Sequence, residues 1–180
     1  MQAKVDNVLI EALPGDITKQ ADCAAIVNAA NAWLTSGGGV AGAIHRAAGP
    51  GLEAECKPLA PIKPGQAVLT GAHNLPNRFV IHCLGPVYGR DQPSDQLLAD
   101  CYRNALALAD GEQIDCIAFP AISTGVFGYP LQPAAAVAVR TVANEAKRLD
   151  YVKRVRFVLF GEEALAAFEQ QLQALAEERQ

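Results

Sequence analysis

The chain has 180 residues, of which 51% are apolar and 19% are charged, and its formal net charge is −4. That composition is too apolar for a disordered protein, and the length suits one domain that buries roughly 70% of the surface its unfolded chain exposes. The excess of acidic over basic residues disfavours electrostatic attraction to nucleic acid. No apolar run reaches the ~20 residues that a membrane-spanning helix needs.

Short runs of apolar, β-branched residues predict strands along the chain. Most of these runs are continuously apolar, which is typical of strands that helices cover on both faces. The predicted strands are residues 8–12, 24–28, 67–70, 79–83, 116–120 and 154–160.

Apolar residues at helical spacing lie between and after these strands. The predicted helices are residues 41–48, 94–109, 133–148 and a final segment that begins with Glu162 and Glu163. Because strands that alternate with helices tend to be parallel, we expect a three-layer α/β/α sandwich with a mixed central sheet. Residues 1–180 are expected to form this one domain, with ligands bound beyond the carboxyl ends of the strands.

The five cysteines are widely spaced, with no C-x-x-C pair and no signal peptide before them. We expect each to be a small buried apolar residue in a protein of the reducing cytoplasm, without a metal or disulfide role. They are Cys23, Cys56, Cys83, Cys101 and Cys116.

Two glycine-containing loops follow predicted strands, and both favour an anionic ligand. Residues 37–42 read GGGVAG and match G-x-G-x-x-G, but this loop follows its strand by eight residues and lacks the downstream acid of a dinucleotide site. Successive glycines at the start of a helix still leave backbone N–H groups free for a phosphate, although a turn without a ligand fits the same residues. Residues 120–130, PAISTGVFGYP, offer further donors, so the two loops can close on a pyrophosphate from opposite sides.

A third turn, Gly15 to Thr18, carries a carboxylate just after the first predicted strand. In one interpretation Asp16 caps its own backbone, which is common for aspartate in turns. In the other, the same carboxylate accepts a hydrogen bond from an exocyclic amine such as that of adenine.

In this order along the chain, five segments resemble the macrodomain family of ADP-ribose-binding modules, and its MacroD-like hydrolase branch in particular. The resemblance extends over nearly the whole chain. The segments are GDIT at 15–18, IVNAAN at 26–31, GGGVAGAIHRAAG at 37–49, VIHCLGP at 80–86 and FPAISTGVFGYP at 119–130.

The resemblance implies an ADP-ribose site whose parts can be assigned by position. Asp16 would accept a hydrogen bond from the adenine amine, the backbone N–H of Ile17 would bind the same base, and Phe160 would stack on it. Asn31 would bind the distal ribose, and Asn28 would tie its loop to neighbouring backbone. The pyrophosphate would lie between Gly38, Gly39 and Val40 on one side and Ser123, Thr124, Gly125, Val126 and Phe127 on the other.

The catalytic residues that the resemblance implies are Asn31 and Phe127, the latter because its ring would press the distal ribose into a reactive pose. MacroD-like hydrolases usually carry Asp where this chain has Ala41. Other branches of the family with Ala at this position are nevertheless regarded as hydrolases. The histidines of the chain are expected to be structural, so no general base is assigned.

We therefore expect an enzyme that hydrolyses ester-linked ADP-ribose, on mono-ADP-ribosylated acidic side chains of proteins or in O-acetyl-ADP-ribose, without a cofactor or metal. The alternative is a reader module that binds ADP-ribose without chemistry. RNA binding through the adenine pocket is disfavoured by the acidic charge. Nucleic acid is thus expected only as an ADP-ribosylated substrate, and no membrane partner is expected.

Overall fold

A mixed sheet is the centre of the computed structural model, which describes residues 1–179. Its strands are β1 (Gln2–Val5), β2 (Val8–Pro14), β3 (Ala25–Ala29), β4 (Ala67–Gly71), β5 (Phe79–Cys83), β6 (Cys116–Phe119) and β7 (Arg154–Leu159). They lie in the order β1-β2-β7-β6-β3-β5-β4, in which only the edge strands β1 and β4 are antiparallel to their neighbours. The inner strands are parallel, so their carboxyl ends meet at one edge of the sheet.

Helices cover both faces of the sheet, as the sequence predicts. Those with α-helical geometry are α1 (Gly39–Ala48), α2 (Pro50–Cys56), α3 (Ser94–Gly111), α4 (Leu131–Glu145) and α5 (Glu162–Glu178). Helices α1 and α2 pack on one face, and α3, α4 and α5 pack on the other, each face with its own apolar core. The three-layer α/β/α sandwich is thereby confirmed. None of the helices within residues 1–179 has the length and apolar character that a bilayer crossing requires.

All the predicted strands and helices are present, with small shifts at their ends, but the sequence analysis missed β1 and α2. Strand β1 is short and alternates between exposed and buried residues, so it lacks the apolar run that marks the inner strands. Helix α2 has seven residues and begins at Pro50. Its apolar pattern is too short for helical periodicity to stand out.

The face beneath α3, α4 and α5 is held by aromatic packing. The ring centroids of Tyr102 and Phe119 are 5.0 Å apart, and those of Phe157 and Phe168 are also 5.0 Å apart. All four side chains are fully buried. Tilted contacts of this kind contribute roughly 0.5–1.5 kcal/mol each beyond the burial of apolar area.

The opposite face contains buried polar side chains that bond to one another. Asn28 Nδ2 donates to His82 Nδ1 at 3.1 Å, and His82 Nε2 therefore carries the proton that it donates to Thr70 Oγ1 at 2.9 Å. Burial lowers the pKa of His82 to about 4, which keeps the imidazole neutral. The expectation that Asn28 bonds to neighbouring backbone is wrong, because its register partner on β5 presents an imidazole instead.

Arg156 on β7 forms a second polar cluster on this face. Its Nε donates to Glu11 Oε1 at 2.8 Å, and its two terminal nitrogens bind both carboxylate oxygens of Asp22 at 2.7 Å. The arginine side chain is only 9% exposed, whereas that of Asp22 is 59% exposed. The guanidinium is thus buried in the fold, and part of its charge is neutralised by Asp22, a carboxylate at the protein surface.

The structure joins Cys23 and Cys116 in a disulfide, so the expectation of five unbridged cysteines is wrong for this pair. Cys116 begins β6 and Cys23 lies just before the neighbouring β3, which brings their Cα atoms to 4.6 Å. Widely separated cysteines carry no local signal of such a pairing. Cys56, Cys83 and Cys101 are free and buried, as the sequence predicts.

We predict that acid weakens the ion pair between Asp22 and Arg156. Hydrogen bonding to the guanidinium lowers the pKa of Asp22 from 3.8 to about 2. The pair therefore stabilises the fold fully above about pH 4, and this contribution is lost as the pH falls through 2. Solvent screening limits it to about 1 kcal/mol. Urea unfolding at pH 5 and pH 2 should show a larger loss of stability in the wild type than in Asp22→Asn, since Asp16, Glu55 and Asp110, whose pKa values are also lowered, weaken both proteins alike. Identical pH profiles would contradict the prediction.

We also predict the number of reactive thiols. Protein denatured in guanidinium without reductant should react with a thiol reagent at three cysteines, because Cys23 and Cys116 are bonded to each other. Reductant added before denaturation should raise the number to five. Five thiols without reductant would show that the pair is not bridged in solution.

Candidate functional site

A cavity of about 830 Å³ opens at the carboxyl edge of the parallel strands. Four stretches of chain supply most of its lining: residues 29–31 after β3, 37–41 at the start of α1, 120–127 after β6, and 158–164 from the end of β7 into α5. Each comes from an inner strand or from the helix that follows it. The parallel register thus brings together residues that lie far apart in the sequence.

The first glycine loop lines this cavity and opens helix α1 with unpaired backbone N–H groups. Gly39, Val40 and Ala41 are the first residues of α1, and their N–H groups have no intrahelical acceptor because no helical turn precedes them. The first intrahelical bond runs from Gly42 N to Gly38 O at 3.2 Å. Gly42 is required by space, since a Cβ there would collide with the carbonyl oxygen of Gly37. The loop can fold back this tightly only with a glycine at that position.

The loop after β6 is fixed by its own side chains and leaves other backbone donors free. Ser123 has a φ of 70°, and its hydroxyl donates to Pro86 O at 2.8 Å. Thr124 Oγ1 donates to Ala121 O at 2.8 Å. The N–H groups of residues 125–127 have no acceptor within the described chain. A rigid loop with unpaired N–H groups provides partial positive charge without a cationic side chain.

Ten of the twelve predicted binding residues line this cavity. They are Asn31, Gly38, Gly39, Val40, Ser123, Thr124, Gly125, Val126, Phe127 and Phe160. Val126 is 100% exposed and Phe160 is 95% exposed. These two apolar side chains project into solvent at the rim, where a flat ligand can cover them.

The other two predicted residues, Asp16 and Ile17, lie beside the cavity and do not line it. Their turn is attached to the end of β7, because Gly15 N donates to Leu159 O at 3.3 Å. Asp16 Oδ1 accepts from both the backbone N–H and the hydroxyl of Thr18, as the capping interpretation predicts. The same bonds lower the pKa of Asp16, so the carboxylate is ionised and its Oδ2 remains open.

Asn31 is held by its own loop. Its Oδ1 accepts from the backbone N–H groups of Trp33 and Thr35, each at 3.1 Å. Its Nδ2 donates to the carbonyl oxygen of Thr35 at 3.0 Å and to the Thr35 hydroxyl at 3.1 Å. A ligand that accepts a hydrogen bond from Asn31 Nδ2 must therefore replace one of the two bonds that this nitrogen donates to Thr35.

Fourteen of the 24 lining residues are not among the predicted binding residues, and Gly85, Leu131, Glu162 and Glu163 are four of them. Gly85 and Leu131 give no chemical signal, since they shape the cavity without a polar side chain. Glu162 and Glu163 give a signal only for the start of α5, because acidic residues suit the positive end of a helix. They are the only charged side chains among the lining residues, all of which lie in the described part of the chain.

The histidines are not in this lining. His45 is buried and His73 bonds to Glu55 Oε1 at 2.8 Å, while His82 belongs to the polar cluster beneath the sheet. Their structural interpretation agrees with these positions. Ala41 lines the cavity with a methyl group, which cannot take a proton from water.

Known proteins identify the family of this chain. The Macro domain family model matches residues 27–138. The O-acetyl-ADP-ribose deacetylase of Klebsiella pneumoniae (strain 342) is 51% identical over 163 residues, a match that covers 88% of this chain and 93% of the relative. The chain belongs to the macrodomain family.

Other members resemble this macrodomain in sequence and in fold. The ADP-ribose glycohydrolase MACROD2 of Xenopus laevis is 48% identical over 165 residues, which is 88% of this chain and 39% of the longer relative. The Oceanobacillus iheyensis macrodomain, in a structure with ADP, superposes with a TM-score of 0.94 at 40% identity and covers 99% of this chain and 97% of its own. This similarity agrees with the sheet and helix order described above.

We predict that Gly85→Ala destabilises this macrodomain. An added Cβ would collide with Ser123 Oγ and lie 2.6 Å from Ile122 Cγ2, so the Ser123 hydroxyl that donates to Pro86 O and the buried Ile122 side chain must both shift. Overpacking of this kind costs about 1–3 kcal/mol. Chemical denaturation should show that loss, while the control Gly111→Ala, whose Cβ meets nothing within 4 Å, should leave stability unchanged or higher. Equal stability of the two variants would contradict the close approach of Gly85 to Ser123 and Ile122.

Proposed function

We propose that this macrodomain binds ADP-ribose and hydrolyses its carboxylic esters, on mono-ADP-ribosylated acidic side chains of proteins or in O-acetyl-ADP-ribose. The observation that carries the proposal is the pair of loops with unpaired N–H groups across one cavity, after neighbouring strands β3 and β6. A cavity of about 830 Å³ suits a ligand of this size. The names of the relatives support the same ligand class.

In this proposal the ligand extends along the strand ends. Adenine stacks on the exposed ring of Phe160, with its amine at Asp16 Oδ2 and its ring nitrogen at the N–H of Ile17. The pyrophosphate lies between residues 38–40 and residues 123–127. Each N–H bond to a charged phosphate contributes about 1.5–3 kcal/mol, so several of them replace a cationic side chain.

The distal ribose then lies between Asn31 and Phe127. We propose that Asn31 Nδ2 gives up its contact to the Thr35 hydroxyl and donates that proton to the ribose, while the hydroxyl keeps its own donation to Asn31 Oδ1 at 3.4 Å. Hydrolysis adds one water to the ester and releases ADP-ribose and a carboxylic acid. Since Ala41 cannot act as a base, the water is held by backbone, the Asn31 amide and the ligand phosphate.

A reader module is the second candidate, and Ala41 is the observation that favours it. A reader module needs only the groups that bind ADP-ribose. These groups bind the ligand without a titratable side chain near the distal ribose. Both candidates share the binding site. They differ in whether ADP-ribose is released from an ester.

We also propose that residues 1–180 act as one domain and that the protein works in the cytoplasm. The three free, buried cysteines, Cys56, Cys83 and Cys101, agree with a reducing compartment, whereas a bridge such as that of Cys23 and Cys116 is rare in one. Alkylation of thiols at the moment of cell lysis tests the location: a reduced Cys23 and Cys116 pair agrees with it, and a fully bridged pair argues for an oxidising compartment.

We predict that the wild type releases ADP-ribose from a peptide mono-ADP-ribosylated on glutamate. Asn31→Ala should lower turnover about 100-fold, because it removes a donor that orients the reacting ribose. Its dissociation constant for free ADP-ribose should change by less than about tenfold, the share of one hydrogen bond. Chromatography measures release, and calorimetry measures binding.

Asn144→Ala, on the exposed surface of α4, is the matched control and should behave as the wild type. Binding by the wild type without release from either ester class would favour the reader. A wild type that gives no heat with ADP-ribose at high micromolar concentration would contradict both candidates. Equal losses of turnover and affinity in Asn31→Ala would contradict the catalytic role of Asn31.

A further inference from the structure

The side chain of Gln20 connects the buried Arg156 cluster to the turn that carries Asp16. Gln20 is 7% exposed, although it is a polar residue. Its Nε2 donates to the backbone carbonyl oxygen of Asp16 at 2.8 Å, and its Oε1 accepts from Arg156 Nη1 at 3.0 Å. One amide thus joins a strand residue to the turn at the strand ends.

Arg156 determines which way this amide faces. A guanidinium only donates hydrogen bonds, so the Gln20 oxygen must face it and the Gln20 nitrogen must face the Asp16 carbonyl. Arg156 is itself held by Glu11 and by both oxygens of Asp22. The amide therefore has one orientation, and the turn receives a donor of fixed direction.

The backbone of Gln20 is held as firmly as its side chain. Asn77 Nδ2 donates to the carbonyl oxygen of Gln20 at 2.8 Å and to that of Cys23 at 2.7 Å. Cys23 N also donates to Gln20 O at 3.1 Å. Gln20 cannot follow the turn if the turn moves, so its bond to Asp16 acts as a fixed support.

The groups that this support positions are the carboxylate of Asp16 and the N–H of the next residue, Ile17. The carboxylate offers Oδ2 as an acceptor, and the N–H of Ile17 has no partner within residues 1–179. An acceptor beside a donor matches the amine and ring nitrogen of adenine. It is mismatched to a 6-oxo purine, in which the oxygen accepts and the ring nitrogen donates.

We propose that Gln20 is a positioning residue for base selection, which makes the site specific for a 6-amino purine over a 6-oxo purine. This rests on the proposed function, in which Asp16 and Ile17 contact the base. Gln20 does not touch the ligand. It holds the turn in the position where its acceptor and donor both reach the base edge.

Gln20→Glu isolates this role because the two side chains have the same shape. Glutamate keeps the contact to Arg156 as an ion pair, so the fold retains its support. Its second oxygen, however, faces the carbonyl oxygen of Asp16 and repels it. Gln20→Met, which loses both contacts without adding charge, is a second variant. Gln96→Glu, on the exposed surface of α3, is the control for the added charge.

The experiment is calorimetry with ADP-ribose and with the analogue that carries hypoxanthine in place of adenine. The wild type should prefer ADP-ribose by at least tenfold. Gln20→Glu should weaken ADP-ribose binding about tenfold and change analogue binding less than twofold, so that the preference disappears. Gln20→Met should lose part of the preference, and Gln96→Glu should keep all of it. Thermal unfolding of each variant reports the fold.

Each other outcome is decisive. A wild type that binds neither ligand contradicts the proposed function, and the inference falls with it. A wild type that binds ADP-ribose and the hypoxanthine analogue equally contradicts recognition of the adenine amine by Asp16. If the wild type prefers ADP-ribose and Gln20→Glu keeps that preference, the proposed function stands and the role of Gln20 is wrong. Equal weakening of both ligands by Gln20→Glu and Gln20→Met would show that Gln20 only supports the fold.

Discussion

Binding of an anion in the cavity depends on backbone N–H groups that are held in place. Among the lining residues described for 1–179, no side chain is cationic. A lysine can adjust to a phosphate by rotating, but an N–H group can only be where its chain is fixed. This explains the close contacts around both loops. Gly42 lets the first loop fold against the carbonyl of Gly37, and Gly85 lets Ser123 reach Pro86. The inner parallel strands carry both loops to the same edge.

The two faces of the sheet have different roles. Beneath α3, α4 and α5 the core is apolar and aromatic, and most of its stabilisation comes from the apolar area that it buries. The face beneath α1 and α2 carries the clusters of His82 and Arg156, in which each donor needs a particular acceptor. Such clusters favour one arrangement over similar ones, because a shifted register would leave buried groups unpaired. The Arg156 cluster is joined through Gln20 to the turn of Asp16, and the His82 cluster includes Asn28 of β3, the strand that leads into the first glycine loop.

Sequence patterns could predict the inner strands and the loops because both are local features. A buried strand is a run of apolar residues, and a loop of unpaired N–H groups is a run of glycines and small residues. Partners across the sheet have no such local mark. The contacts of Asn28 with His82 and of Gln20 with Arg156, and the bridge of Cys23 with Cys116, join residues more than fifty positions apart. The position of Asp16 beside the cavity likewise depends on the attachment of its turn to β7.

Glu162 and Glu163 at the cavity rim have a consequence for the rate of ligand capture. Together with the net charge of −4, they make the field outside the cavity repulsive to an anion, while the N–H groups attract it only at contact distance. A phosphate ligand is therefore not steered in from a distance, and encounter is slower than at a lysine-lined site. Added salt screens the repulsion and speeds association, the reverse of its effect on proteins that bind phosphate through basic side chains.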